Sequence, residues 1–161
     1  MIDRRTLIGA GMATALAGIF GARALFAAPE AFEVTMSDAD WRKKLSPDAY
    51  ATLRHEATER PFTSPLNNEH RAGTFVCAGC ALPLFASRTK FDSGTGWPSF
   101  WQPLTNAVMT RTDYAIGIPR TEVHCRRCGG HLGHVFDDGP PPTGKRYCMN
   151  GVAMRFMPAK V

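Results

Sequence analysis

The 161-residue sequence has little net charge, no internal repeat apart from two cysteine pairs, and no long apolar run. Its N-terminal apolar stretch, Thr6 to Ala22, falls short of the roughly 20 residues that span a bilayer, so we expect no stable membrane anchor. The formal charge of +5 becomes +3 without the three arginines and one aspartate of residues 1–28. This small net charge does not indicate a basic surface for nucleic acid, so nucleic-acid binding is excluded as the leading function.

The N-terminus has the pattern of an export signal. Arg4 and Arg5 precede a moderately apolar stretch interrupted by glycine, and small residues at Ala22–Ala24 or Ala27–Ala28 offer cleavage sites. We predict a twin-arginine-type signal peptide over residues 1–28, a tether over 29–36, one folded domain over 37–161, and a periplasmic location. This route carries folded proteins, so thiols could bind metal before they reach an oxidising compartment.

The five cysteines form two CxxC pairs and one unpaired thiol, Cys148. Two CxxC pairs supply the four thiolates of a tetrahedral structural zinc site, which predicts one Zn²⁺. The 44-residue gap between the pairs, residues 81–124, exceeds that of a simple zinc ribbon, so two CxxC disulfides or an active dithiol are the alternatives. The predicted zinc ligands are Cys77, Cys80, Cys125 and Cys128.

The chain beyond Pro61 predicts a mainly β domain with short helices before it. Ser37 and Ser46 are capping residues for two helices, the second running through about Ala57. Short apolar runs separated by Gly, Pro, Asn and Asp then predict strands. The predicted strands are Gly73–Cys77, Leu82–Ala86, Tyr114–Ile118, Glu122–His124, Lys145–Cys148 and Gly151–Met157.

Cys148 is the candidate nucleophile. If residues 146–150 are extended, then Arg146, Cys148 and Asn150 point to the same face. A neighbouring guanidinium favours the thiolate, which is the reactive form of cysteine. The alternative is a buried, inert cysteine that packs as a small hydrophobic residue.

Two histidines and one tryptophan are further candidates. His131 and His134 lie among Gly129, Gly130 and Gly133, which predicts that both rings reach one cavity for acid–base or substrate-binding roles. A metal ligand or a core histidine is the alternative. Trp97, on a glycine-flanked loop, suits a thioether methyl group, although an isolated tryptophan is more often a core residue.

The motifs GWPSF, HLGHVFDDGP and GKRYCMNG, with the two CxxC pairs, resemble those of the B-type methionine sulfoxide reductases, which reduce the R epimer of methionine sulfoxide. The resemblance covers about residues 37–158. It implies two antiparallel sheets with peripheral N-terminal helices and a zinc site remote from the catalytic cysteine. It further implies Cys148 as nucleophile, Trp97 as methyl-binding residue, and a pocket formed by His131, His134, Asp138, Arg146 and Asn150, with His134 favoured as proton donor.

Thr95 departs from the commoner pattern of that family, in which a resolving cysteine stands two residues before the tryptophan. With four cysteines assigned to zinc, we expect a thioredoxin-like partner or a small thiol to reduce Cys148 directly. Oxidised proteins or peptides are the expected substrates, and we expect a monomer. A zinc-containing module that binds oxidised segments without turnover and a thiol peroxidase are the rival functions.

Overall fold

The computed structural model describes residues 31–160, and the predicted signal peptide lies outside them. Two helices come first, α1 (Asp38–Lys44) and α2 (Pro47–His55). The hydroxyls of Ser37 and Ser46 accept hydrogen bonds from backbone N–H groups three residues ahead, as predicted for N-caps. Helix α2 ends two residues earlier than predicted because Glu56 adopts a left-handed conformation (φ 57°).

Two antiparallel sheets follow, which confirms the predicted fold class. The smaller sheet has the order β2-β1-β9 and the larger has the order β3-β4-β8-β7-β6-β5. The strands are β1 (Gly73–Cys77), β2 (Pro83–Ala86), β3 (Lys90–Phe91), β4 (Ser99–Phe100), β5 (Val108–Asp113), β6 (Arg120–Cys125), β7 (His131–Phe136), β8 (Arg146–Met149) and β9 (Met154–Pro158).

The predicted strand Tyr114–Ile118 is wrong, because this segment is the loop that joins β5 to β6. The Asp113 carboxylate accepts the N–H of Ala115, and Gly117, with a φ of 81°, donates its N–H to the carbonyl of Tyr114. These local bonds form a turn. The apolar alternation of the segment resembles a strand, but its apolar side chains are exposed.

The sequence predicted no strand at the positions of β3, β4, β5 and β7. The predicted strand Gly151–Met157 also begins differently, with a 3-10 turn over Gly151–Ala153 before β9. The bounds predicted for β1 are confirmed.

The core lies between the sheets and under the helices. Phe100 stacks on Phe85 with ring centroids 4.3 Å apart and contacts Phe75 edge to face at 4.9 Å. All three rings are fully buried. Trp41 of α1 and Leu53 of α2 are also buried. Burial of these side chains removes apolar area from water and fixes the sheet that carries the site.

Within residues 31–160, no helix has both the length and the apolar character needed to cross a bilayer.

Candidate active site

A row of polar residues crosses the larger sheet at the level of Cys148. Register pairs Glu122 with His134, His134 with Cys148, and Cys148 with Ser99, across strands β6, β7, β8 and β4. Directly opposed residues in antiparallel strands project to the same face. The sheet therefore aligns a carboxylate, an imidazole, a thiol and a hydroxyl on one surface.

A β-bulge adds His131 to this row. His124 pairs with His131 whereas Val123 pairs with Gly133, so Leu132 is an extra residue on β7. In a regular strand, residues three apart point to opposite faces. Across the bulge the rings of His131 and His134 meet instead, with centroids 5.4 Å apart.

Cys148 opens into a small cavity of about 120 Å³. Four of the predicted site residues line it, whereas His131, Asp138 and Arg146 do not. Thr58, Arg120 and Phe136, which sequence reasoning did not single out, form other parts of its wall. The full lining is Thr58, Trp97, Arg120, Gly133, His134, Phe136, Cys148 and Asn150.

The Cys148 sulfur is half-buried, and this burial raises the pKa of its thiol above the usual 9.0. The Thr95 hydroxyl, 3.9 Å from the sulfur, and the nearby Arg146 guanidinium act in the opposite direction. The sequence predicted the effect of Arg146 but not the larger effect of desolvation. Thr95 continues into a chain of hydroxyls, because Ser93 lies 2.8 Å from Thr95 and 2.7 Å from Ser99.

Asp138 and Arg146 form an ion pair beside the cavity. Nε and Nη2 of Arg146 donate to the two carboxylate oxygens of Asp138 at 2.8 Å each, and the guanidinium lies over the Phe136 ring. The hydrogen bonds from Arg146 lower the pKa of the Asp138 carboxyl. Arg146 is mostly buried whereas Asp138 is exposed, and the two hydrogen bonds fix the orientation of the guanidinium.

His134 has a carboxylate partner that sequence reasoning missed. Its Nε2 lies 2.8 Å from Oδ2 of Asp113, and Arg120 binds the same carboxylate oxygen. Burial lowers the pKa of His134 below its ordinary 6.5, and the hydrogen bond to Asp113 opposes this effect. Asp113 ends β5, so only the pairing of β5, β6 and β7 brings it to His134.

His131 has a second, more deeply buried carboxylate partner. Its Nδ1 lies 2.7 Å from Oε1 of Glu122, and both side chains are almost fully buried. Burial raises the pKa of Glu122, but hydrogen bonds from His131 and Arg111 outweigh burial and bring the pKa below its usual value. His131 thus has a structural role, because it provides the hydrogen-bond partner of a buried carboxylate.

Glu59 connects the two predicted substrate-binding residues. Its carbonyl accepts the indole N–H of Trp97 at 3.0 Å, and its N–H donates to Oδ1 of Asn150 at 3.0 Å. Its carboxylate accepts the N–H groups of Gly151 and Val152. Burial raises the pKa of this carboxyl. The Asn150 amide also donates to the carbonyl of Leu132, so Asn150 connects Glu59, and through it Trp97, to β7.

The four remaining cysteines form the predicted cluster, with all sulfur atoms within 4.8 Å of one another. Sγ of Cys77 lies 3.7 Å from Sγ of Cys128, and Sγ of Cys80 lies 3.5 Å from Sγ of Cys125. At Zn–S distances of about 2.3 Å, sulfurs of a tetrahedral site are roughly 3.8 Å apart. None of the four lines the cavity at Cys148.

Comparison with known proteins agrees with this arrangement. Residues 45–158 match the SelR domain model. Peptide methionine sulfoxide reductase MsrB of Agrobacterium fabrum is 55% identical over 127 residues, which is 78% of this chain and 94% of that protein. The protein of the same name from Bradyrhizobium diazoefficiens is also 55% identical over 127 residues, covering 78% of this chain and 91% of its own. The chloroplastic peptide methionine sulfoxide reductase B1 of Arabidopsis thaliana is 52% identical over 122 residues, covering 75% of this chain and 60% of its own.

Proposed function

Because this chain belongs to the MsrB family of peptide methionine sulfoxide reductases, we propose that it reduces methionine R-sulfoxide in proteins and peptides to methionine. The observation that carries the proposal is the alignment of Cys148 with His134 beside Trp97, in one cavity of about 120 Å³. A thiol, an acid–base group and an aromatic surface are the three components that this chemistry requires.

In the proposed reaction, the Cys148 sulfur attacks the sulfoxide sulfur while the sulfoxide oxygen is protonated. The hydroxyl then transfers from the methionine sulfur to the Cys148 sulfur as the original S–O bond and the newly formed S–S bond break, so that Cys148 becomes a sulfenic acid and the thioether leaves as methionine. The sulfoxide gains two electrons and the cysteine loses two. Trp97, held by Glu59, contacts the methyl group and fixes which epimer presents its oxygen to the acid.

His134 is the proposed proton donor. It lines the cavity opposite Cys148 in register, whereas His131 lies behind it against Glu122. Oxygen is a poor leaving group from sulfur unless it is protonated, so an imidazolium here lowers the barrier. Arg146, oriented by Asp138, stabilises the negative charge on the attacking sulfur.

An external thiol completes the proposed cycle. Two reductant thiols convert the Cys148 sulfenic acid to thiol, and one disulfide and one water form. Thr95, in the position of a resolving cysteine, cannot form a disulfide, and the other four cysteines lie together away from the cavity. The proposed reductant is a thioredoxin-like protein or a small thiol.

One Zn²⁺ held by Cys77, Cys80, Cys125 and Cys128 is the proposed metal. The spacing of the four sulfurs supports a closed tetrahedral site, and a closed site supplies stability instead of catalysis. The two cysteine pairs come from distant parts of the chain, so the metal would join the end of β1 to the end of β6.

Export by the twin-arginine route and a periplasmic location are proposed from residues 1–28 alone. Fusion of residues 1–30 to a reporter, in strains with and without the twin-arginine translocase, tests this. Export that requires the translocase supports the proposal, and a reporter retained in the cytosol of both strains contradicts it.

The proposed activity is tested by methionine release from each purified sulfoxide epimer of a peptide, with dithiothreitol as reductant. We expect release from the R epimer only, and none from the Cys148→Ser variant. Release without Cys148, or from neither epimer, contradicts the proposal. Unchanged peptide affinity without turnover identifies a binding module, and consumption of peroxide alone identifies a thiol peroxidase.

A further inference from the structure

Two exposed apolar elements lie next to residues that line the Cys148 cavity, although neither element lines the cavity itself. Of the six large apolar side chains that are most exposed in residues 31–160, four belong to these elements. One element is Phe62, which is 73% exposed. The other is the tip of the loop between β5 and β6, where Tyr114, Ile116 and Ile118 are 67%, 60% and 59% exposed.

Phe62 lies next to Trp97, which forms one wall of the Cys148 cavity. Its backbone N–H donates to the carbonyl of Gly96 at 2.7 Å, directly before Trp97, and it shares a cavity of about 220 Å³ with the same tryptophan. The φ of Phe62 is 65°, a conformation that is costly for a bulky residue and that is usually retained for function. Because the Phe62 ring is mostly exposed, it buries little apolar area that could offset this backbone strain.

The loop between β5 and β6 is attached to the wall of the cavity that contains His134. Asp113 and Arg120, at the two ends of the loop, bind each other, and Asp113 also binds His134. Arg120 itself lines the cavity. Both ends of the loop are therefore fixed to the catalytic wall, and the apolar side chains extend from there into solvent.

We propose that Phe62 and the Tyr114–Ile118 loop together form an apolar rim that binds the residues flanking an oxidised methionine in an unfolded polypeptide. This inference rests on the proposed function, since a peptidyl methionine that enters the cavity places its neighbouring residues at the mouth. Methionine is mostly a core residue, so its neighbours in an unfolded segment are commonly apolar. The rim thus distinguishes oxidised peptides by the side chains on either side of the methionine.

The test compares kcat/KM, with dithiothreitol as reductant, for three R-sulfoxide substrates. They are N-acetyl-methionine sulfoxide amide, a heptapeptide with leucine and phenylalanine beside the methionine, and the same heptapeptide with serine at those positions. We expect the wild type to prefer the apolar heptapeptide over the serine heptapeptide by about tenfold, the equivalent of about 1.4 kcal/mol.

The test variants are Phe62→Asn and the double variant Ile116→Asn, Ile118→Asn. Both are expected to remove most of this preference. Asparagine tolerates a positive φ, so Phe62→Asn should keep or raise the melting temperature while it weakens peptide binding. Met157→Gln is the matched control, because Met157 is similarly exposed (55%) on β9, in the other sheet.

Each other outcome overturns the inference. A wild type without the preference, variants that retain it, or an equal loss in Met157→Gln excludes a specific rim. If the variants lose activity only when a thioredoxin replaces dithiothreitol, the surface binds the reductant. If the wild type is a dimer and the variants are monomers, the surface binds a second copy of the chain. A wild type that reduces none of the three substrates refutes the proposed function itself.

Discussion

His131 Nδ1 lies 2.7 Å from Oε1 of Glu122, and both side chains are buried behind the cavity that contains Cys148. Glu122 also stands directly opposite His134 on the neighbouring strand, so a carboxylate that binds His131 lies in the same row as His134, whose own carboxylate partner is Asp113. Removal of one member of such a buried pair leaves the other without a partner, which is more costly than the pair is stabilising.

Glu122→Gln is predicted to destabilise the domain and to remove part of its acid sensitivity. The loss at pH 7 should be about 1–3 kcal/mol of unfolding free energy, as for a buried hydrogen-bonded charge. The pKa of Glu122 lies below its unfolded value of 4.5, so its stabilisation is present above that pH and is lost as the pH falls towards the folded pKa. Urea unfolding of wild type and variant between pH 7 and pH 3 measures both effects.

Glu56→Gln is the matched control for that prediction. Glu56 binds the same arginine, Arg111, as Glu122 does, but it is exposed. Exposed ion pairs contribute about 0–1 kcal/mol, so this variant should unfold nearly as the wild type does. Equal losses in the two variants would contradict a special role for the buried carboxylate.

The pH profile of the first step is predicted to have a broad plateau. Burial lowers the pKa of His134 below 6.5 and raises that of Cys148 above 9.0. The thiolate–imidazolium form is then a minor species whose fraction stays constant between the two pKa values and falls outside them. Single-turnover methionine release at pH 4 to 10 measures the two limbs.

Asp113→Asn is predicted to shift the acid limb of that profile to lower pH. The Asp113 carboxylate opposes the desolvation of His134, so its neutralisation lowers the pKa of His134 further. The basic limb, which belongs to Cys148, should stay in place. An acid limb that does not move would assign it to a group other than His134.

Thr95→Val is predicted to raise the pKa of Cys148, because a thiolate can only accept, and the Thr95 hydroxyl beside it is a donor that favours this charged form. A lost hydrogen bond to a charged group shifts the pKa by roughly one unit. Thr95→Ser, which keeps the hydroxyl, is the control. The pH dependence of Cys148 alkylation by iodoacetamide measures the shift. Equal Cys148 pKa values in Thr95→Val and Thr95→Ser would show that the hydroxyl has no effect on this pKa.

Metal removal is predicted to unfold the domain, whether or not Cys148 is present. The four clustered sulfurs join distant segments, so their ion contributes folding free energy. We expect one zinc per chain by elemental analysis in both wild type and Cys148→Ser, and loss of the cooperative thermal transition on chelation. An unchanged melting temperature after complete zinc removal would contradict a structural metal.

The sequence determined the local features: the serine caps of α1 and α2, the extended segment that carries Cys148, and the grouping of four cysteines apart from the fifth. Each of these follows from residues a few positions apart, where capping, period-two alternation and CxxC spacing act. The same local signals misread the Tyr114–Ile118 loop, because alternation alone does not reveal whether a neighbouring strand is present.

Only the tertiary structure decided which groups surround Cys148. The bulge at Leu132 turned His131 towards His134, and strand register brought Glu122 and Asp113 to them from β6 and β5. Glu59 reached Trp97 and Asn150 across more than 35 and 90 residues of sequence. Register and bulges result from the balance of many long-range contacts, so no short stretch of sequence encodes them.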